Sequence, residues 1–461
     1  MEKKRFFNEP SSEGSFDTLR KVFEKIPEAI LGTCSRYLAV LFVILLLIEA
    51  GFRTVGITGV YSMAFLPLGA VVEVVAVLWL CKVLLDREHC LRVLWTTTDM
   101  ALVLMLAWCG VSTMFSADPM TAFCGSLYRQ EGFCTYLIYA ALFFCSRRSC
   151  QDNQSWILIW GLCLVGTFLS IWAMLFASPL GEMAKEKFGP MVVWYNSVGA
   201  IFTNPNHFAY FLSMSTLGGA GLYMVETSGI RRGMAGICYL VQILMLLYNE
   251  SLGGYLAVSV GLTLLLILGV IRKDGTAVRT LVLMAVLAGF ALIRRYVGHD
   301  VSSDMQDVIE AFDTAEQVGA IGVLDEEATT GSSSVDRLLM WKQAVQYTLQ
   351  RPLLGYGPDG SGVLHFYDTM AGSDRPHNEY LQYAAFFGIP GALMYLTALV
   401  SLFVRCIRNV KRLSPMGLVL GGMVLSYCAS AFVGNSMYYT TVYFVMILVL
   451  LVNESTMVMQ K

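Results

Sequence analysis

The sequence predicts an all-α membrane protein of about twelve transmembrane helices, with one long, partly helical extracytoplasmic loop before helix 10. The first observation is composition: 56% of the 461 residues are hydrophobic and only 14% are charged, whereas a soluble domain carries roughly 25% charged residues. The second is a mean hydropathy of +0.60. The third is a series of apolar runs that approach the ~20 residues a helix needs to cross a bilayer.

Twelve apolar runs are predicted to span the membrane. They occupy residues 37–52, 62–85, 97–115, 131–146, 156–178, 208–226, 233–248, 253–271, 279–293, 378–404, 415–433 and 437–452. Residues 1–36 are mostly polar, unlike a cleaved signal peptide, and are predicted to be a cytoplasmic N-terminal segment. Five apolar residues in this segment are spaced like one face of a helix, namely Phe16, Leu19, Val22, Phe23 and Ile26. This spacing indicates either a helix on the inner membrane surface or a chance pattern in a polar tail.

Basic residues alternate from loop to loop in every loop pair but the fifth, where the outer loop has two lysines, as the positive-inside rule requires if the N-terminus is cytoplasmic. The inner loops carry Arg87, Arg92, Arg147, Arg148, Arg231, Arg232, Arg272, Lys273, Arg279, Arg405, Arg408, Lys411 and Arg412. The short outer loops carry only Arg53, Arg129, Lys185 and Lys187. A missed helix would reverse this pattern downstream, so we predict an even number of spans and two cytoplasmic termini.

The segment 294–377 has no spanning run and is predicted to lie outside the membrane. Helices are expected near 301–318 and 335–350, and tight turns over the glycine-rich stretch 354–362. The chain therefore divides into a cytoplasmic segment 1–36, transmembrane helices 1–9 in 37–293, this loop, and transmembrane helices 10–12 with a short cytoplasmic tail in 378–461.

The sharpest local pattern runs from Arg375 to Leu381, where the outer loop enters helix 10. Pro376 suits the first turn of a helix and Asp374 is a candidate cap, so His377 is predicted to stand at a helix N-terminus. The helix dipole there disfavours an imidazolium and favours a bound anion such as diphosphate. A neutral imidazole is what a general base requires, while a capping or interface histidine is the alternative.

Two further arginines are candidate phosphate ligands, because a guanidinium can fork onto phosphate oxygens. Arg337 lies four residues before Trp341 in the helix predicted near 335–350, where a salt-bridged surface arginine is the alternative. Arg129 is the single basic residue of its short outer loop and is either a phosphate ligand or an anchor that reaches the membrane surface.

The stretch Asn204-Pro205-Asn206 precedes helix 6. Its asparagines bind sugar hydroxyls or cap the helix, and capping alone is expected for one of them. Cys124 and Cys134 fall in or beside one short outer loop, where a disulfide is the alternative to two free thiols. Zinc spacings, Walker-type loops and GxSxG elbows do not occur, so no metal, cofactor or nucleic-acid partner is expected.

These residues together resemble the O-antigen ligase and O-antigen polymerase superfamily of bacterial membrane glycan transferases. The ligase signature is a histidine followed by Asn or Ser, then by leucine at the fourth and glycine at the eleventh position, and it is matched by His377, Asn378, Leu381 and Gly388. Three further family features are an arginine before a tryptophan, a Pro-Leu-x-Gly-x-Gly turn and an Asn-Pro-Asn stretch, matched by Arg337, Trp341, 352–357 and Asn204–Asn206.

The resemblance implies a GT-C-like glycosyltransferase, either a ligase or a polymerase, in the bacterial cytoplasmic membrane with its active site on the extracytoplasmic side. It implies metal-independent, inverting transfer from an undecaprenyl-diphosphate-linked glycan donor to a hydroxyl of a glycan or lipid-linked acceptor, among membrane lipids. It implies His377 as the catalytic base and Arg337 as the clamp on the donor diphosphate. Asn204, Asn206 and Asn378 are the candidate substrate-binding residues.

One position departs from the family pattern. Many members carry Ser-Arg-Gly at the start of helix 8, and this chain has Ser251-Leu252-Gly253 instead. We therefore expect Arg129 or Arg375 to supply the second positive charge that faces the diphosphate.

Three other interpretations stay open. A non-enzymatic transporter or flippase of lipid-linked glycan would need two matched halves, which the sequence does not show. A peptidoglycan-type glycosyltransferase would need a catalytic carboxylate in the long loop, among the acidic residues from Asp300 to Glu327. The intramembrane carboxylates Glu73 and Asp99 are compatible with a proton-coupled role.

Overall fold

The computed structural model describes residues 15–54, 61–86, 90, 93–126, 129–149, 154–188, 199–202, 204–249, 251–273, 275–297, 333–360, 364, 366 and 375–460. These residues form α-helices joined by turns, which confirms the predicted all-α fold. The helices are α1 (Ser15–Glu24), α2 (Glu28–Thr54), α3 (Tyr61–Leu85), α4 (Thr97–Met114), α5 (Pro119–Cys124), α6 (Phe133–Ser149), α7 (Gln154–Ala177), α8 (Pro179–Phe188), α9 (Pro205–Val225), α10 (Gly229–Asn249), α11 (Leu252–Arg272), α12 (Thr276–Val297), α13 (Ser333–Gln350), α14 (Glu379–Arg408), α15 (Pro415–Ser430) and α16 (Tyr438–Gln460).

The twelve predicted spans correspond to twelve of these helices, namely α2, α3, α4, α6, α7, α9, α10, α11, α12, α14, α15 and α16. Within the described residues, ten of the twelve are long and apolar enough to cross a membrane. The other two, α6 and α15, have 17 and 16 residues. The polytopic architecture is therefore confirmed, with ten helices of full spanning length and two shorter ones.

Side chains at the ends of the helices join loops that the charge pattern places on the same side. Lys82 donates to the Phe23 carbonyl over 2.7 Å, and Arg272 donates to the Leu413 carbonyl over 2.6 Å. All four residues lie in or beside segments predicted to be cytoplasmic. We call this the inner end of the bundle and the opposite end, which carries His377, the outer end.

Burial differs sharply among helices of similar hydropathy. In α9 and α16, 89% and 78% of the spanning residues are buried in the protein, against 22% in α3 and 17% in α12. The core of the bundle is therefore formed by α9 and α16 together with the largely buried α15. Since lipid tails are as apolar as leucine, hydropathy alone does not separate core helices from peripheral ones.

The N-terminal segment contains the predicted helix as α1. Leu19 and Val22 of α1 are exposed, and α1 contacts α3. Ile26, just after α1, packs against the core. A position of α1 on the inner membrane surface remains a prediction.

Asp99 has a structural role at the inner end. Its side chain and that of Thr96 form a capping box at the start of α4. The carboxylate also pairs with Arg147 over 3.1 Å, and Arg147 donates to Asn453 over 2.6 Å. The buried charge of Asp99 is thus compensated, as buried charges must be, and its burial requires no proton-coupled role.

The outer part of α14 is interrupted at Gly388, the glycine of the histidine signature. Its backbone angles, φ +71° and ψ 179°, belong to a region that essentially only glycine adopts. The interruption leaves backbone groups without helical partners, and the turn that follows α13 supplies them. Three backbone hydrogen bonds of 2.8–3.0 Å run from Tyr356 to Ala385, from Gly357 to Phe386 and from Ile389 to Pro352.

One face of α4 completes this junction. Trp108 donates to the Phe387 carbonyl over 3.0 Å, and Ser112 donates to the Leu354 carbonyl over 2.5 Å. Ser116, just beyond the end of α4, donates to the Tyr356 carbonyl over 2.8 Å. The three donors are four positions apart, so they lie on one side of the helix. Non-helical backbone at membrane depth is tolerated only when protein groups satisfy it in this way.

We expect Gly388→Ala to destabilise the protein by about 3 kcal/mol, the upper range for a residue held in a disallowed backbone region. An added Cβ would also lie 2.2 Å from the Leu353 carbonyl oxygen. Thermal unfolding in detergent measures the effect. The matched control is Gly421→Ala in α15, where no atom lies within 4 Å of the added Cβ and a small gain in stability is expected. Equal melting temperatures for the two variants would contradict this explanation of the signature glycine.

Candidate functional site

A buried ion cluster joins three outer segments that are far apart in the sequence. Arg375 has no exposed surface, and its guanidinium pairs with Glu131 and, over 2.8 Å, with Asp359. It also donates to the Ser436 carbonyl over 2.5 Å. Glu131 begins the segment before α6, Asp359 lies in the turn after α13, and Ser436 lies between α15 and α16. The cluster therefore fixes the end of the long loop onto the helical bundle.

This environment corrects the prediction that Arg375 binds the donor diphosphate. Its guanidinium is fully buried, and its two carboxylate partners already compensate its charge. A ligand phosphate would have to displace both carboxylates and leave them buried and unpaired, which is strongly unfavourable. Arg375 is instead the residue that orders the segment leading into His377.

His377 lies immediately before α14, and the predicted cap of this helix was wrong. The N-cap is Asn378, whose side-chain oxygen accepts from the Leu381 backbone N–H over 3.1 Å, and α14 begins at Glu379. Asp374 lies outside the described residues. Pro376 and His377 precede the helix, since His377 has a φ of +50°, which is incompatible with an α-helix. Asn378 is buried and its side chain acts as a cap.

The imidazole of His377 is half-buried and faces the segment between α15 and α16. Its Nδ1 lies 3.4 Å from the amide nitrogen of Asn435, a fully buried side chain. The side-chain oxygen of Asn435 is buried and accepts no hydrogen bond in the part of the chain that the structure describes. A 180° turn of the amide group exchanges its nitrogen and oxygen without moving the rest of the side chain. With the oxygen turned towards the ring, Asn435 accepts from Nδ1–H and leaves Nε2 as the basic nitrogen.

Arg129 reaches the same segment from the loop between α5 and α6. It is half-buried, and its guanidinium lies 3.5 Å from the sulfur of Met437. The Tyr439 hydroxyl donates to that sulfur and lies 2.8 Å from Nδ1 of the buried His207. Arg129, His207 and His377 are thereby brought around one short stretch, Asn435 to Tyr439.

The Asn-Pro-Asn stretch lies beside this group. Asn204 is the N-cap of α9, its side chain accepting from the Asn206 backbone over 2.8 Å. The Asn206 side chain accepts from the Ser251 hydroxyl over 2.9 Å. The Asn204 side chain thus caps α9, and the Asn206 side chain links the start of α9 to the start of α11. Ser251 is the residue before Leu252, where the family arginine is missing.

Arg337 lies on the first part of α13, which confirms the helix predicted near 335–350. Desolvation by the surrounding protein lowers the pKa of this guanidinium from its ordinary value. Within the described residues, its side chain has no hydrogen-bond or ion-pair partner. The indole N–H of Trp341, one helical turn on, is buried and also has no acceptor there. One face of α13 thus presents the half-buried guanidinium of Arg337 and the buried indole N–H of Trp341, and neither has an acceptor among the described residues.

Two other predictions concern the outer segments. Cys124 and Cys134 are free thiols, so the disulfide alternative was wrong. The turns predicted over 354–362 are confirmed for residues 354–360, where Gly355, Gly357, Asp359 and Gly360 all have positive φ. The helix predicted near 301–318 and the acidic residues from Asp300 to Glu327 lie outside the described residues.

Sequence reasoning missed the residues that assemble the site, namely Glu131, Asp359, Asn435, Ser436 and Tyr439. Glu131 lies inside the stretch 125–132 that was considered for Arg129, and Asp359 lies inside the predicted turns, but neither residue was picked out. Their pairing with Arg375 has no local signal, because the partners are separated by 244 and 16 positions. The segment 435–439 showed no motif at all.

The fold and the site together define a polytopic α-helical membrane protein. One end of its bundle gathers a histidine, two arginines and two buried carboxylates, namely His377, Arg129, Arg375, Glu131 and Asp359. Residues 237–396 match the profile of a family described as O-antigen ligase. The predicted resemblance to the O-antigen ligase and O-antigen polymerase superfamily is thereby confirmed for these residues, and the match supports a membrane glycan-related function. No curated protein matches the chain.

Proposed function

We propose that the protein is a glycosyltransferase that moves a glycan from an undecaprenyl-diphosphate-linked donor to an acceptor hydroxyl at the outer face of the bacterial cytoplasmic membrane. The observation that carries the proposal is the convergence of His377 and Arg129 on the segment Asn435–Tyr439, in a chain whose O-antigen ligase stretch contains both Arg337 and His377.

In the proposed reaction, Nε2 of His377 takes the proton of the acceptor hydroxyl. The acceptor oxygen attacks the anomeric carbon from the side opposite the diphosphate. The bond between that carbon and the diphosphate oxygen breaks, and the lipid diphosphate leaves with the electron pair, so the configuration at the anomeric carbon is inverted. The Asn435 amide orients the imidazole, and the step needs no metal.

Arg337 is the proposed clamp on the leaving diphosphate. Its guanidinium is desolvated and has no acceptor among the described residues, so a phosphate would gain strong charge-assisted hydrogen bonds there. Trp341 offers a second donor on the same face of α13. α13 contacts α14, and the turn that follows α13 is hydrogen-bonded to the backbone of α14 around Gly388. Arg337 lies on α13 and His377 immediately precedes α14, so the two residues belong to segments that meet at this junction.

Arg129 is the better candidate for the second positive charge. The buried pairing of Arg375 removes that residue from the choice between the two. Arg129 approaches Met437, and Met437 connects through Tyr439 to His207, next to Asn206 and its partner Ser251. This series of contacts links the loop of Arg129 to the segments that begin α9 and α11, and Leu252 is the first residue of α11. Asn204, Asn206 and Asn378 support the walls of the site through capping and helix contacts.

The experiment that tests the proposal is incubation of the purified protein with undecaprenyl-diphosphate-linked glycan and candidate acceptors, either a second lipid-linked repeat unit or a lipid core. Longer chains identify a polymerase and a modified core identifies a ligase. Movement of intact donor across proteoliposome membranes without any new glycosidic bond would instead establish the flippase alternative.

We expect Arg337→Met to raise the KM for the donor by about tenfold or more, the loss associated with hydrogen bonds to a charged group. Folding should be unaffected, because the substitution removes a desolvated charge that has no described partner. Steady-state kinetics with a fixed acceptor measure the effect. The matched control is Arg351→Met, which removes an exposed arginine stacked on Tyr356 at 4.9 Å and should leave the donor KM unchanged. The same increase in both variants would argue against a specific clamp.

A further inference from the structure

The first turn of α14 carries a buried carboxylate that the proposed reaction does not use. Glu379 has no exposed surface and accepts hydrogen bonds from three tyrosine hydroxyls. Tyr395 donates to Oε1 over 2.7 Å, and Tyr210 and Tyr427 both donate to Oε2 over 2.8 Å. We call these three tyrosines the tyrosine cage. Both oxygens of a carboxyl group can accept hydrogen bonds, and the three tyrosine hydroxyls supply the donors.

The cage gathers three separate parts of the bundle on one side chain. Tyr210 lies on α9, Tyr427 lies on α15, and Tyr395 lies on α14 beyond the break at Gly388. The rings of Tyr210 and Tyr427 stack with their centroids 4.6 Å apart. Through Tyr395, Glu379 therefore ties the outer segment of α14 to the rest of the same helix across the non-helical residue.

The backbone of Glu379 makes a second link. Its N–H donates to the Ala431 carbonyl over 2.8 Å, at the end of α15. Ala431 leads into the segment that carries Asn435, the residue facing the imidazole, and His377 lies two positions before Glu379. One residue thus fixes the start of both segments whose side chains meet at His377.

We propose that Glu379 is a positioning residue whose carboxylate, held by the tyrosine cage, sets the His377 imidazole against Asn435 and fixes the angle of α14 across the break. The effect on transfer rests on the proposed function, whereas the effect on the imidazole does not. Glu379 acts through His377 and touches no reacting atom.

The kinetic test uses the full chain with Glu379→Gln, Glu379→Asp and Tyr395→Phe, normalised to folded protein. Glu379→Gln keeps the shape but cannot accept all three hydroxyls, and we expect kcat to fall about tenfold to a hundredfold, as misplacement of a catalytic group does. The donor KM should stay within about twofold, since neither proposed arginine ligand contacts the cage. Glu379→Asp, which retains a carboxyl group, should recover part of the rate, and Tyr395→Phe should show a smaller loss.

The matched control is Glu226→Gln at the inner end. Glu226 is also buried and accepts from the Trp160 indole over 3.0 Å. A purely structural role for buried carboxylates predicts lost stability in both variants and an unchanged kcat per folded molecule. An unchanged kcat in Glu379→Gln and Tyr395→Phe would overturn the proposal.

A second measurement needs no substrate. The rate at which diethyl pyrocarbonate modifies His377, read by peptide mass spectrometry, should rise several-fold in Glu379→Gln and stay unchanged in Glu226→Gln. If Glu379→Gln does not fold, Tyr395→Phe decides the same question. Faster modification in a protein that transfers no glycan would overturn the proposed function and support the positioning role. Unchanged modification would overturn the positioning role even in an active transferase.

Discussion

Replacing His377 by alanine is expected to lower kcat for glycan transfer by about 10²–10⁴-fold, the usual contribution of a positioned general base. The donor KM should change little, because the proposed phosphate ligands lie on other segments. The half-buried imidazole stands opposite Asn435 at 3.4 Å, so its removal leaves the acceptor hydroxyl without a base at that place. Single-turnover kinetics with a purified lipid-linked donor measure the loss.

Two controls separate this role from a structural one. Imidazole added to the His377→Ala protein should restore part of the rate if the missing group is a base. His377→Ala should also retain its melting temperature, since His377 precedes α14 and the cap of that helix is Asn378. A His377→Ala protein that keeps full transfer activity would exclude His377 as the base.

Replacing Arg375 by methionine is expected to destabilise the protein by about 3–5 kcal/mol, the cost of breaking a buried ion pair from one side. Glu131 and Asp359 are also almost without exposed surface, so both carboxylates would be left buried and uncompensated. The turn after α13 would then lose the link that Asp359 makes to the segment before α14. Thermal unfolding in detergent, followed by size-exclusion chromatography, measures the loss.

The decisive comparison also removes the two carboxylate charges, of Glu131 and Asp359, that the Arg375 substitution leaves unpaired. The triple variant Arg375→Met, Glu131→Gln, Asp359→Asn should recover much of the lost stability, because no buried charge remains unpaired. A diphosphate-binding Arg375 predicts a different result, namely a normal melting temperature with a raised donor KM. That outcome in Arg375→Met would reinstate the prediction that the structure corrects.

The different roles assigned to the three arginines follow from the burial and pairing of their side chains. Arg375 is completely buried and paired, whereas Arg129 is half-buried at the outer end and Arg337 has no described partner. Sequence position does not predict this difference, since Arg375 is the arginine nearest to His377. Proximity to His377 in the chain therefore does not predict which arginine is available to bind a phosphate.

The sequence by itself determined the class of architecture. The length of its apolar runs specifies membrane helices because a bilayer demands about 20 apolar residues per crossing, and ten described helices meet that requirement. It also located the helix after residue 333, the turns of 354–360 and the family signature, since glycine, proline and period-3.6 patterns act over a few residues. These local signals sufficed to indicate His377 and Arg337 as candidates.

Only the tertiary structure decided which polar residues contact one another and which of them remain available to bind a substrate. The pairing of Arg375 with Glu131 and Asp359, the contact of His377 with Asn435 and the tyrosine cage around Glu379 all join segments from different helices. The physical reason is that local backbone preferences extend over one or two turns, whereas compensation of a buried charge depends on whichever side chains the packed bundle brings within 3 Å.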